Sequence, residues 1–176
     1  MKRLLFLILS LALLLSLCAC NTQQTAFNGP VTFYYLRSDI SADATYGDAD
    51  SVIVPEIQDS LELRSGLNYL LALYLNGPTD NRLYSPFPAD LQIVSIQRTE
   101  DTLIVTFNNS LAKLKGIKLT KACACIALTC LGLTNAETIS ICADTEMLEN
   151  LRSIDLSRND LILQDLTPNT DNGGNE

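Results

Sequence analysis

The chain has 176 residues, with 12 Lys and Arg against 20 Asp and Glu, a net charge of −8, and no histidine. The acidic balance argues against nucleic acid as a ligand, because phosphates demand Lys and Arg. The missing histidine removes Ser-His and Cys-His nucleophile pairs, imidazole-built zinc sites and the usual general base near neutral pH.

The first residues carry a targeting pattern. Lys2-Arg3 precede an apolar run from Leu4 to Leu17, which closes on Cys18-Ala19-Cys20. The run falls short of the roughly 20 residues a spanning helix needs, and a small residue stands directly before a cysteine. This predicts a lipoprotein signal peptide over residues 1–19, with lipid attached at Cys20, which follows Ala19 and fits the cut better than Cys18. Two or more acyl chains anchor a protein firmly, each buried methylene adding about 0.8 kcal/mol. The expected location is the extracytoplasmic face of the cell membrane. Without Lys2 and Arg3 the balance becomes ten basic against twenty acidic residues.

Residues 20–30 read as the lipidated cysteine and a polar, flexible tether ending at Gly29-Pro30. Val31 to Leu36 is β-branched and aromatic and predicts a first strand. Asp43, Asp48 and Asp50 lie in a turn-rich segment. Val52-Ile53-Val54 predicts a second strand, which Pro55 ends or confines to a sheet edge. From Ser65 to Leu75, the positions of Leu67, Leu70, Leu71, Tyr74 and Leu75 describe one helical face. Asn76-Gly77-Pro78 stops that helix, Gly accepting the left-handed cap and Pro barring continuation. A loop stiffened by Pro86 and Pro88 leads to a strand from Leu91, a turn at Thr99-Glu100-Asp101 and a return strand over Thr102 to Asn108. There Leu103, Val105 and Phe107 share one face. Leu119 to Leu133 predicts a second helix, apolar along Leu119, Ala122, Cys123, Ile126, Ala127, Cys130 and Leu131. Thr138 to Cys142 predicts a last strand with Ile139 and Ile141 on one side. Residues 147–166 form a C-terminal extension, and residues 167–176 a disordered tail.

The order is β-β-α-β-β-α-β. The fold class that follows is α/β (α+β): a small mixed sheet with two helices packed on one face, since both kinds of element must bury an apolar side.

Several residue groups invite a chemical reading. Cys123 and Cys125 stand about 200° apart around a helix, and Cys123 and Cys130 about 10 Å apart along it. Neither pair can share an ion whose sulfur bonds are near 2.3 Å. Small core residues are the first reading of these cysteines, and a disulfide from the helix to Cys142 stays open in an exported protein. The Asp43, Asp48 and Asp50 group lacks the glutamate of a calcium loop. Glu100-Asp101, and Asp144 with Glu146, lie in turns where acids are ordinary, so no catalytic carboxylate pair is assigned. Phe33, Tyr34, Tyr35, Tyr69 and Tyr74 fit core or interface positions better than a ligand platform. No catalytic residue, metal site or cofactor is expected.

The succession of landmarks resembles the GerMN (GerM-type, sporulation and spore germination) domain. They are VTFYYL at 31–36, Val52-Ile53-Val54-Pro55, the helix ending in Asn76-Gly77-Pro78, Pro88 before the strand at Leu91, the return strand Asp101 to Phe107, the small-residue helix and the Thr138–Cys142 strand. The resemblance covers residues 31–146. It departs at Glu56, where a basic residue is common, at Thr106, where an acid is common, and at Asp144-Thr145, where a glycine turn is usual. The resemblance implies a ring-building-motif-like shape, a single copy of a non-catalytic domain, and a setting in Gram-positive bacteria. The expected function is a lipid-anchored interaction module in envelope or sporulation-linked assembly, with a protein partner or a homo-oligomer and no nucleic acid. The alternative is a lipoprotein that binds a small ligand or wall fragment in a tyrosine-lined pocket.

Overall fold

The computed structural model describes residues 30–38, 51–62, 65–144 and 152–161. The signal, Cys20, the tether, the Asp43–Asp50 group, Glu146 and the terminal tail lie outside these residues.

The described chain is an α+β domain. Strands β1 (Pro30–Ser38) and β2 (Ser51–Glu62) precede helix α1 (Leu67–Leu75) and the short β3 (Leu83–Tyr84). Then come β4 (Ile93–Arg98), β5 (Thr102–Phe107), helix α2 (Gly116–Leu133), β6 (Thr138–Ala143) and β7 (Ser153–Ser157). The expected order is present, with β3 and β7 added. Hydrogen bonding divides the strands between two ladders, β2-β1-β3 and β4-β5-β6-β7.

The division follows from what covers β1. β3 pairs only with Leu36 and Arg37. Closer to the start of β1, helices take over. Tyr34 N–H donates to Thr129 Oγ1 of α2 at 3.0 Å. Tyr34 C=O accepts from the Tyr74 hydroxyl of α1 at 2.8 Å. Both backbone groups of Tyr34 therefore point away from β2 and end on side chains, which satisfies them without a fourth strand. The same geometry explains how β2 runs through Pro55. Pro55 stands opposite Tyr34. Residues facing each other across an antiparallel pair turn their polar groups the same way relative to the ladder. The missing N–H of Pro55 thus falls on the open side of an edge strand, where no ladder bond is lost.

β5 and β6 are parallel, and a parallel pair requires a crossover, which α2 supplies. Leu103, Val105 and Phe107 of β5 and Ile139 and Ile141 of β6 are buried on one face. The expected face of α2 is buried throughout, and so are Cys125 and Thr129 on its other side. One side of α2 faces β7, where Leu119 and Cys123 line a hollow with Ile154 and Leu156. The other reaches β1 through Thr129. By length and composition alone α2 would pass for a membrane-crossing helix; it is the core helix between the two ladders. Its small side chains, Ala and Cys, allow close approach on both sides. β7 pairs antiparallel with β6, so the C-terminal extension joins the sheet.

Candidate interaction surface

The Asn76-Gly77-Pro78 turn is built as its residue types demand. Asn76 N–H and Gly77 N–H donate to Leu73 and Tyr74 carbonyls at 3.0 and 3.2 Å. Gly77 has φ +97°, a region that costs an L-residue about 1–2 kcal/mol. Pro78 then directs the chain to Thr79 and Asp80, where Glu56 of β2 takes hold. Glu56 Oε1 accepts from Thr79 N–H at 2.9 Å, Thr79 Oγ1 at 2.8 Å and Asp80 N–H at 2.8 Å. Its Oε2 accepts from Gln58 Nε2 at 2.8 Å. Glu56 is buried. A basic residue here could not accept these donors, so Glu56 matches the exposed amides of the turn that follows α1. Arg37, Ile57, Arg82 and Leu83 complete a hollow of about 440 Å³ beside this clamp. Arg82 is engaged with Asp80 at 2.6 Å, and its guanidinium holds the Asp80 carboxyl down at about 2.

Pro88 shapes the approach to β4. Its carbonyl accepts Leu91 N–H at 3.0 Å. Asp90 is fixed by Ser110 Oγ at 2.7 Å and Lys113 Nζ at 2.9 Å, and these donors hold its carboxyl below the usual range. Asn108 donates its N–H to Gln92 C=O and its side-chain amide to Asp90 C=O. The structure brings Asn76 and the turn after Pro88 to one groove of about 680 Å³. It runs between α1 (Asn68, Ala72, Leu75) and the strand from Leu91 to Ile96. Gly77 and Pro78 are not among its lining residues.

Most of the aromatic set packs inward. Phe33, Tyr35, Tyr74 and Phe87 stack in the core with ring centroids 5.1 to 6.4 Å apart. Tyr35 OH donates to Tyr74 C=O at 2.9 Å. Burial pushes both phenols well above their ordinary value. Tyr69 alone of the aromatic group is strongly exposed.

Cys123, Cys125, Cys130 and Cys142 are free thiols. Burial pushes the first three up to about 12, far from the thiolate range of a reactive cysteine. Among the described residues no group of three potential ligands is placed to hold a metal. Asp101 serves through its backbone: its carbonyl accepts Glu137 and Thr138 N–H, tying the hairpin to β6.

Sequence reasoning missed two parts of this surface. Glu56 reads as a departure from the family pattern, and the clamp shows what it does. Thr129 was not singled out; a lone hydroxyl within the apolar stretch from Ala122 to Leu133 was the available signal.

The model of the Germane family, described as sporulation and spore germination, matches residues 32–149. The chain belongs to this family. The tandem GerMN domains of the sporulation protein GerM from Bacillus subtilis match at 20% identity over 80% of this chain and 48% of theirs, with a TM-score of 0.52. The first GerMN domain of the same protein matches at 19% identity over 75% of this chain and 99% of that domain, with a TM-score of 0.55. The chain thus spans about half the length of the tandem structure. At these identities the likeness is one of fold. No curated protein matches.

Proposed function

We propose that this GerMN-domain protein is a lipid-anchored, non-enzymatic interaction module on the extracytoplasmic face of a Gram-positive membrane, working in envelope or sporulation-linked assembly. The observation that carries the reading is the set of edge strands that end the two ladders. Among the described residues β2 and β4, like β3 and β7, each end a ladder, and a strand edge with no paired neighbour is a template for another chain. The polar side chains point the same way. Each buried side-chain nitrogen or oxygen among the described residues already has a hydrogen-bond partner, so Glu56, Thr129 and Tyr74 serve the fold. The family's link to sporulation and germination supports the setting. The Lys2-to-Cys20 pattern supports the anchor.

Cys20→Ser with the signal intact tests the anchor. The substituted protein is expected to leave the membrane fraction, while the unmodified sequence stays in it. A Cys20→Ser protein that remains membrane-bound and uncut overturns lipid anchoring.

A further inference from the structure

The segment that forms the β4 edge has an unusual charge layout. Asp90-Leu91-Gln92-Ile93-Val94-Ser95-Ile96-Gln97-Arg98 places one acid at its start, one base at its end and seven uncharged residues between. The groove beside it is lined by no charged residue. In a chain of net charge −8, two copies repel across most surfaces. Here they meet without like charges.

The backbone is self-matching too. Gln92 C=O and Thr99 N–H face β5, bonded to Asn108 and Thr102. Alternation along an antiparallel ladder then turns Ile93, Ile96 and Arg98 outward. Between Ile93 and Ser95 the register with β5 shifts, so Val94 is an extra residue and the outward groups jump three positions instead of two. A bulge of this kind protects an edge, because a regular strand falls out of step across it. A second copy carries the same jump. Antiparallel, its Ile96 stands opposite Ile93 and its Ile93 opposite Ile96, with the two bulges facing each other at the centre. Val94, 54% exposed, lies at that centre.

We propose that the β4 edge is the seat of a second copy of this chain, paired antiparallel about Val94 and Ser95 into a two-fold dimer. The pairing rests on the interaction-module reading and specifies its partner and surface. One isologous contact closes the assembly at two copies, and the exposed valines bury each other at the axis.

The test uses the full chain extracted from membranes in detergent, with mass measured by sedimentation across a concentration series. The unmodified chain is expected to be a dimer. Val94→Asp and Val94→Lys, each alone, are expected to weaken dimerisation at least about tenfold, since like charges meet at the axis. An equimolar mixture of the two is expected to restore the dimer. Ile57→Asp, on the exposed β2 edge, is expected to leave the mass unchanged. Melting temperatures close to that of the unmodified chain at low, monomeric concentration exclude misfolding as the cause. A dimer that survives Val94→Asp, or a mixture that stays monomeric, overturns the proposal. If the unmodified chain is monomeric but crosslinks in membranes to a different protein, self-pairing falls and the interaction reading stands. If it is monomeric with no crosslinked partner, both fall.

Discussion

Glu56 shows how one side chain sets a surface. Its carboxylate gathers two backbone amides and a hydroxyl of the Thr79-Asp80 turn, and a buried donor stripped of its partner costs about 1–3 kcal/mol. Glu56→Ala strands these donors and is expected to lower stability by about 2 kcal/mol. Glu56→Gln keeps one accepting oxygen and is expected to cost about half as much. Urea unfolding followed by circular dichroism measures both; an alanine variant as stable as the parent would remove the clamp from the account. The residue was visible in the sequence only as an acid after Pro55. Its role depends on a turn 23 positions away, a distance that periodicity does not reach.

At the scale of elements, Thr129 joins helix to strand. Its hydroxyl oxygen accepts Tyr34 N–H on the stretch of β1 that β3 does not reach. Thr129→Val keeps the shape and loses the acceptor, so about 1–2 kcal/mol of stability is expected to go. Thr129→Ser is expected to retain the bond, with a smaller loss from the missing methyl group. Equal unfolding midpoints for Val and Ser would show that the hydrogen bond contributes nothing. Local pattern made several elements legible. The alternation at Leu103, Val105 and Phe107 gave the buried face of β5, and the spacing of Leu70, Leu71 and Tyr74 gave that of α1. Gly77 marked the helix stop because only its backbone conformation suits the cap. The separation into two ladders was not legible. It follows from where the tertiary fold sends the polar groups of Tyr34. The length of β2 was hidden for a related reason, as Pro55 breaks a strand or not according to which side of the ladder its nitrogen faces. β7 was read only as part of the C-terminal extension over residues 147–166, since Ser153 to Ser157 is short and its partner, β6, precedes a segment of irregular composition. Of the candidate surface, the Asn76 turn and Pro88 were readable as turns; their convergence on one groove with the β4 edge was not.

The whole molecule carries a prediction in its alkaline limb. Three core thiols are pushed up to about 12 by burial, from an ordinary 9.0. The folded chain therefore keeps protons that the unfolded chain releases above pH 9. The sign follows by linkage: this part of the stability is fully present below pH 9 and is lost as pH rises from there toward 12. Unfolding midpoints are expected to hold between pH 7 and 8 and to fall steeply above 9, the buried Tyr35 and Tyr74 phenols adding to the slope. A midpoint unchanged at pH 11 would contradict the burial of these groups.

The largest claim is that the domain acts by contact while tethered to a membrane. Amine-reactive crosslinking on intact cells, with the membrane fraction then resolved by mass, tests it most directly. The account predicts a discrete crosslinked species containing this chain in the membrane fraction, lost when Cys20→Ser frees the protein from the surface. A chain found only as an uncrosslinked, unprocessed monomer in the cytosol would contradict it.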